Sequence, residues 1–92
     1  MPENNDDIRD KLAKICGDVL GEEPENVLAN RTKPFGQSGA DSLDVIEILT
    51  DAEDEFDVVL STAKADAIGN FDDLLSSLTE EINAKKTQEK GE

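Results

Sequence analysis

The sequence predicts a small all-α bundle of three main helices plus one short helix, with a long loop between the first and second helices. Three observations lead there. Apolar residues recur at helical spacing in three separate segments. The one β-branched run, Val58-Val59-Leu60, has no second strand to pair with. The length, 92 residues, bounds the chain to one domain. A formal charge of −14 with 36% hydrophobic residues could equally describe a disordered chain. The regular apolar stripes decide for a folded bundle.

Residues 1–6 are polar and are expected to be a flexible N-terminus, followed by a folded domain over 7–82. In the first helix Ile8, Leu12, Ile15 and Val19 follow spacings of four, three and four, which makes one buried stripe. Asn4, Asn5, Asp6 and Asp7 are candidate N-caps and Gly21 a plausible stop. Cys16 beside the stripe reads as a small, half-buried hydrophobe. Residues 21–40 read as a connection without a regular element, pinned by Val27 and Phe35. Loops of that length are often functional.

The second helix is expected from Asp41 or Ser42 to about Phe56. Asp41 can cap it, with Asp44 completing an Asp-for-Glu capping box. At about 100° per residue, Val45, Leu49, Ala52 and Phe56 face the core. Ile46 and Ile48 flank the stripe on either side. A short helical turn is expected from Ser61 to about Asp66. The last helix starts at the cap Asn70 and buries Phe71, Leu74, Leu75, Leu78 and Ile82. Residues 83–92 read as a disordered polar tail.

Composition excludes several kinds of chemistry. Twenty-three acids against nine bases rule out phosphate-neutralising nucleic-acid binding and disfavour an anionic membrane surface. There is no His, hence no Ser-His-Asp triad and no His metal site. A single Cys makes neither an internal disulfide nor a thiolate zinc site. Asp51-Ala52-Glu53-Asp54-Glu55 lacks the alternating ligands and central Gly of a calcium loop, so no metal site is expected. No apolar run reaches the roughly 18 residues of a membrane span, and the acidic start is unlike a signal peptide. The expectation is a monomeric, cytoplasmic protein without membrane insertion.

The informative stretch is Gly39-Ala40-Asp41-Ser42-Leu43-Asp44. It places a serine at the first turn of a helix, just after a Gly-bearing loop. Ser and Asp favour helix starts in any case, so Ser42 can be read as part of an ordinary one. A helix N-terminus is also a favourable place for a phosphate-bearing group, so Ser42 can be read as an exposed modification site.

Gly39 to Leu60 resembles the second helix of acyl carrier proteins, and Ala40-Asp41-Ser42-Leu43-Asp44 is similar to that family's attachment motif. Ile46-Glu47-Ile48, Glu53-Asp54-Glu55-Phe56-Asp57, Ile68 and the stripe Phe71, Leu75, Leu78 keep the family's spacing. The resemblance covers about residues 7–82. It implies a carrier and not an enzyme. Ser42 would be esterified with 4′-phosphopantetheine, taken from coenzyme A by a phosphopantetheinyl transferase, and the arm's thiol would hold an acyl group as a thioester. It implies docking through Asp41, Asp44, Ile46, Glu47, Glu53 and Asp54 on basic patches of the transferase and of acyl-processing enzymes such as a ketosynthase, ketoreductase, acyltransferase or acyl ligase.

Residues 41–57 carry eight acids and no Lys or Arg, a run whose internal repulsion suits such a docking surface. Leu49, Ala52, Phe56, Leu60, Ile68 and Leu75 are candidates to line an acyl pocket, or simply core. Ser38, Thr50 and Ser61 stand where the family usually has Leu, a larger apolar residue and Pro. These departures favour a specialised stand-alone bacterial-type carrier in fatty-acid, lipid or polyketide synthesis. The competing readings are an aminoacyl or peptidyl carrier and an unmodified acidic adaptor that binds a basic protein.

Overall fold

A computed structural model describes residues 5–90. The elements in chain order are α1 (Asn5–Leu20), α2 (Pro24–Ala29), a 3-10 turn (Phe35–Ser38), α3 (Ser42–Phe56), α4 (Thr62–Ala67) and α5 (Phe71–Lys90). Among the described residues the only β-type pairing is an isolated bridge between Pro34 and Asn70. α1 packs against α2, α3 and α5, and α3 packs against α5. Ile8, Leu12 and Cys16 of α1 meet Ile48 and Ala52 of α3 and Phe71, Leu74 and Leu78 of α5 in one buried cluster. Each of these side chains is removed from water almost completely, which is the main favourable term in a domain this small.

The helix starts follow local chemistry. Asp41 caps α3, with the Asp44 amide donating to Asp41 Oδ1 at 2.9 Å and the Asp41 amide donating to Asp44 Oδ2 at 3.2 Å. This is the expected capping box. Ser61 caps α4 by accepting from the Lys64 amide, and Asn70 caps α5 by accepting from the Asp73 amide at 2.8 Å.

Four expectations change. The connection after α1 is not irregular, since Pro24–Ala29 form a helix and Phe35–Ser38 a 3-10 turn. Pro24 sits at the first helical position, where its missing N–H costs nothing, and Glu25 adds favourable charge to the first turn. A Cβ on Gly17 would lie 2.5 Å from the Glu22 carbonyl oxygen, so only glycine allows the chain to fold α2 back this closely. Val27 and Phe35 are buried pegs, as expected.

On α3, Ile48 is fully buried with Ala52 and Phe56, while Val45 and Leu49 are only half-buried. The core face is therefore turned towards Ile48. That side meets the long helices α1 and α5, whereas the Val45–Leu49 edge looks towards α4, which buries no side chain of its own.

α5 runs on through residues 83–90, which the sequence assigned to a polar tail. Ala, Lys, Gln and Glu there are good helix formers, and Lys85 reaches back to the Asp57 carboxylate and carbonyl. At the other end α1 begins at Asn5, inside the segment expected to be flexible, and residues 1–4 lie outside the described ones.

The loop before α3 is tied to the start of α5. The Phe35 amide donates to Gly69 O at 2.9 Å, the Asp72 amide to Arg31 O at 3.2 Å and Asn70 Nδ2 to Thr32 O at 3.3 Å.

Candidate functional site

The 3-10 turn ends at Gly39, whose φ of +91° is a left-handed conformation that favours glycine. This reversal delivers Ala40 and Asp41 to the start of α3. Ser42 is then the first helical residue and is exposed. Its side chain is not spent on the cap, because Asp41 makes it. The first-turn amides of Ser42 and Leu43 precede the helix's own acceptors, and the dipole adds positive potential there.

Beside Ser42 runs an open groove of about 500 Å³. Val45, Ile46 and Leu49 form one wall, Ala65 and Asp66 of α4 the other, and Phe35, Ala40 and Ile68 close the end nearest the serine. Of the acyl-pocket candidates, the structure brings Leu49 and Ile68 to this groove. Ala52, Phe56 and Leu60 lie in the buried core, and Leu75 lines a separate surface depression with Ser76, Thr79 and Glu80. Phe35, Ala40, Val45, Ile46 and Ala65 were missed as groove residues. The available signal was the half-polar edge of the α3 stripe facing a segment too short to cover it.

The acids expected to dock separate by what they already do. Asp41 and Asp44 hold each other's backbone in the cap. Glu53 is half-buried and accepts from the Leu60 amide at 2.7 Å, tying the end of α3 to the approach to α4. Glu55 lies 4.0 Å from Lys11, and Asp57 pairs with Lys85, which holds its carboxyl below the usual carboxylate range. Among the described residues, these two are the ion pairs made by the acidic run. Glu47, Asp51 and Asp54 are exposed at spacings of four and three, hence along one face of α3. Leu43 and Ile46 are exposed apolar neighbours, at 74% and 56%. Cys16 is fully buried, and burial pushes its thiol up to about 12, so it is inert at neutral pH. No helix among the described residues is long and apolar enough to cross a membrane.

The bundle thus presents an exposed serine hydroxyl at the start of α3, beside a groove and an acidic face. A family described as the phosphopantetheine attachment site matches residues 10–78. An acyl carrier protein of Zymomonas mobilis subsp. mobilis is 35% identical over 74 residues, which cover 80% of this chain and 94% of the relative. One from Cylindrotheca sp. is 36% identical over 80 residues, covering 86% of this chain and 98% of the relative. A chloroplastic acyl carrier protein of Brassica napus is 34% identical over 77 residues, 84% of this chain but only 57% of that longer relative. The chain belongs to the acyl carrier protein family, and phosphopantetheine is the cofactor of its class.

Proposed function

We propose that this chain is a carrier that holds acyl groups on a 4′-phosphopantetheine arm attached to Ser42 and presents them to fatty-acid, lipid or polyketide synthesis enzymes. The observation that carries the reading is Ser42 itself, exposed at the first position of α3 and adjoining the groove. The residues fit the group. The unpaired first-turn amides favour a phosphodiester, and the groove walls offer apolar cover. Bound there, the group supplies a terminal thiol on a flexible arm, on which an acyl group is carried as a thioester.

Ser42 Oγ attacks the coenzyme A phosphorus that bears pantetheine. An O–P bond forms, the pyrophosphate linkage breaks, and adenosine 3′,5′-bisphosphate leaves. The hydroxyl proton goes to a base on the transferase, because the chain has no His and the neighbouring carboxylates in sequence, Asp41 and Asp44, are engaged in the cap.

Intact mass after incubation with coenzyme A and a phosphopantetheinyl transferase tests this. The wild type is expected to gain one phosphopantetheine and Ser42→Ala none, with unchanged helicity because the cap belongs to Asp41. A wild type left unmodified by several transferases would overturn the carrier reading and leave the acidic adaptor. Adenylating ligases that load amino acids onto the modified form would make it an aminoacyl carrier.

Docking on basic partners is assigned to the exposed side of α3. Glu47→Lys or Asp54→Lys is expected to slow modification about three- to ten-fold at low salt, with stability changed by less than about 0.5 kcal/mol. The difference should shrink at high salt as screening removes the steering. Equal rates at low salt would remove these residues from the interface. Glu53→Lys, in contrast, is expected to lower stability, since it removes the acceptor for the Leu60 amide.

A further inference from the structure

α4 is anchored at both ends but has little to hold its middle. On entry, Leu60 is buried and its amide is bonded to Glu53. On exit, the Gly69 amide donates to Asp73 Oδ2 at 3.1 Å and its carbonyl accepts from Phe35. The six residues between, Thr62–Ala67, bury no side chain. Among the described residues, the side-chain bonds from this segment to another helix are those of Lys64, whose Nζ lies 2.6 Å from Glu81 Oε2 and 3.1 Å from Glu80 Oε1 on α5. The next two residues, Ala65 and Asp66, form the α4 wall of the groove beside Ser42.

We propose that Lys64 is the clasp of a strap. By pairing with Glu80 and Glu81 it holds α4 on α5, fixes the width of the groove, and so sets how well a group carried on Ser42 is sheltered from water. The sheltering role rests on Ser42 being the attachment point; the clasp itself does not. Lys64 acts through α4 and is a positioning residue. Two carboxylates converge on one ammonium here, which raises the Lys64 pKa and keeps it charged throughout the neutral range. The pair is partly exposed, so its hold is modest and sensitive to salt. A wall held in this way can open without unfolding the bundle.

The test uses the full chain with Lys64→Met, which keeps the length and removes the charge, Lys64→Arg, and the exchange Lys64→Glu with Glu80→Lys and Glu81→Lys. In the unmodified protein, hydrogen exchange at the Ala65 and Ile68 amides, which are bonded to Ser61 O and Ala65 O, reports opening of α4. Lys64→Met is expected to raise these rates about two- to five-fold, with α1 and α5 protected as before. Raising salt to about 1 M should do the same to the wild type and little to Lys64→Met. Lys64→Arg and the exchanged triple variant should restore slow exchange. Unchanged exchange in Lys64→Met would overturn the clasp.

In the modified protein loaded with an octanoyl thioester, cleavage by hydroxylamine should quicken by a similar factor. Faster α4 exchange without faster cleavage would overturn the sheltering role alone. A wild type that accepts no phosphopantetheine would overturn the carrier reading, while the exchange measurement still decides the clasp.

Discussion

Ile48→Ala is expected to cost about 2–5 kcal/mol of folding stability, while Ile46→Ala, two residues away, costs less than about 0.5 kcal/mol. The chemistry removed is identical and only the surroundings differ. Ile48 is fully buried between α1 and α5, so its truncation leaves a cavity that the long helices cannot collapse around. Ile46 is 56% exposed and already in contact with water. For a domain of this size, whose whole stability is of the order of 5–10 kcal/mol, the first change leaves a large fraction of molecules open to unfolding. Urea denaturation checks this, with a lower midpoint and an unchanged slope expected for Ile48→Ala. Ile46→Ala should instead appear in the kinetics, as slower modification by the transferase. Equal midpoints for the two variants would mean that the core face of α3 is centred elsewhere.

The second large effect is an alkaline loss of stability caused by one thiol. Cys16 is raised by burial from an ordinary 9.0 to about 12. In the unfolded chain the exposed thiol ionises first, so between about pH 9 and pH 12 the unfolded state binds fewer protons than the native one. Stability therefore falls as pH rises. The contribution is fully present below pH 9 and lost through the alkaline range, by up to about 4 kcal/mol at its end. Lysines also titrate there, so the measurement is a difference. The stability advantage of wild type over Cys16→Ala should be constant from pH 6 to 8 and shrink steadily above 9. Parallel curves would mean that the thiol ionises inside the fold. The same burial predicts that alkylating agents reach Cys16 only through opening of the bundle.

What the residues disclosed beforehand follows from how directly each is governed by its neighbours in sequence. Asp41 and Asp44 cap α3 through bonds three residues apart, so the start of the helix and the exposure of Ser42 could be read from the motif. The stripes of α1 and α5 were legible because each helix has one broad buried side. Ile48 was misplaced because α3 is covered unequally: long helices lie on one flank and the short α4 on the other. Spacing along α3 carries no information about that. The α2 helix was missed because six residues give too short a pattern, although Pro24 followed by Glu25 was a usable start signal. The sorting of the acids was equally out of reach. Lys11 and Lys85, which neutralise Glu55 and Asp57, come from α1 and the far end of α5. The groove lies between α3, α4 and the 3-10 turn, and half its lining comes from residues that look unremarkable singly.

The bonds that tie the loop before α3 to the start of α5 also bear on how Ser42 is presented. Asn70 and Thr32 are 38 positions apart, and the Phe35–Gly69 and Asp72–Arg31 bonds span similar lengths of chain. Such long-range bonds carry a loop-closure cost that the local bonds of the α3 cap do not share. The cap bonds between Asp41 and Asp44 are local, so opening of the long-range ties would free the loop before Asp41 while leaving Ser42 on the first turn of α3. A partner that reads the serine together with the loop would then distinguish the closed form from the open one, whereas a partner that reads only the first turn of α3 would not.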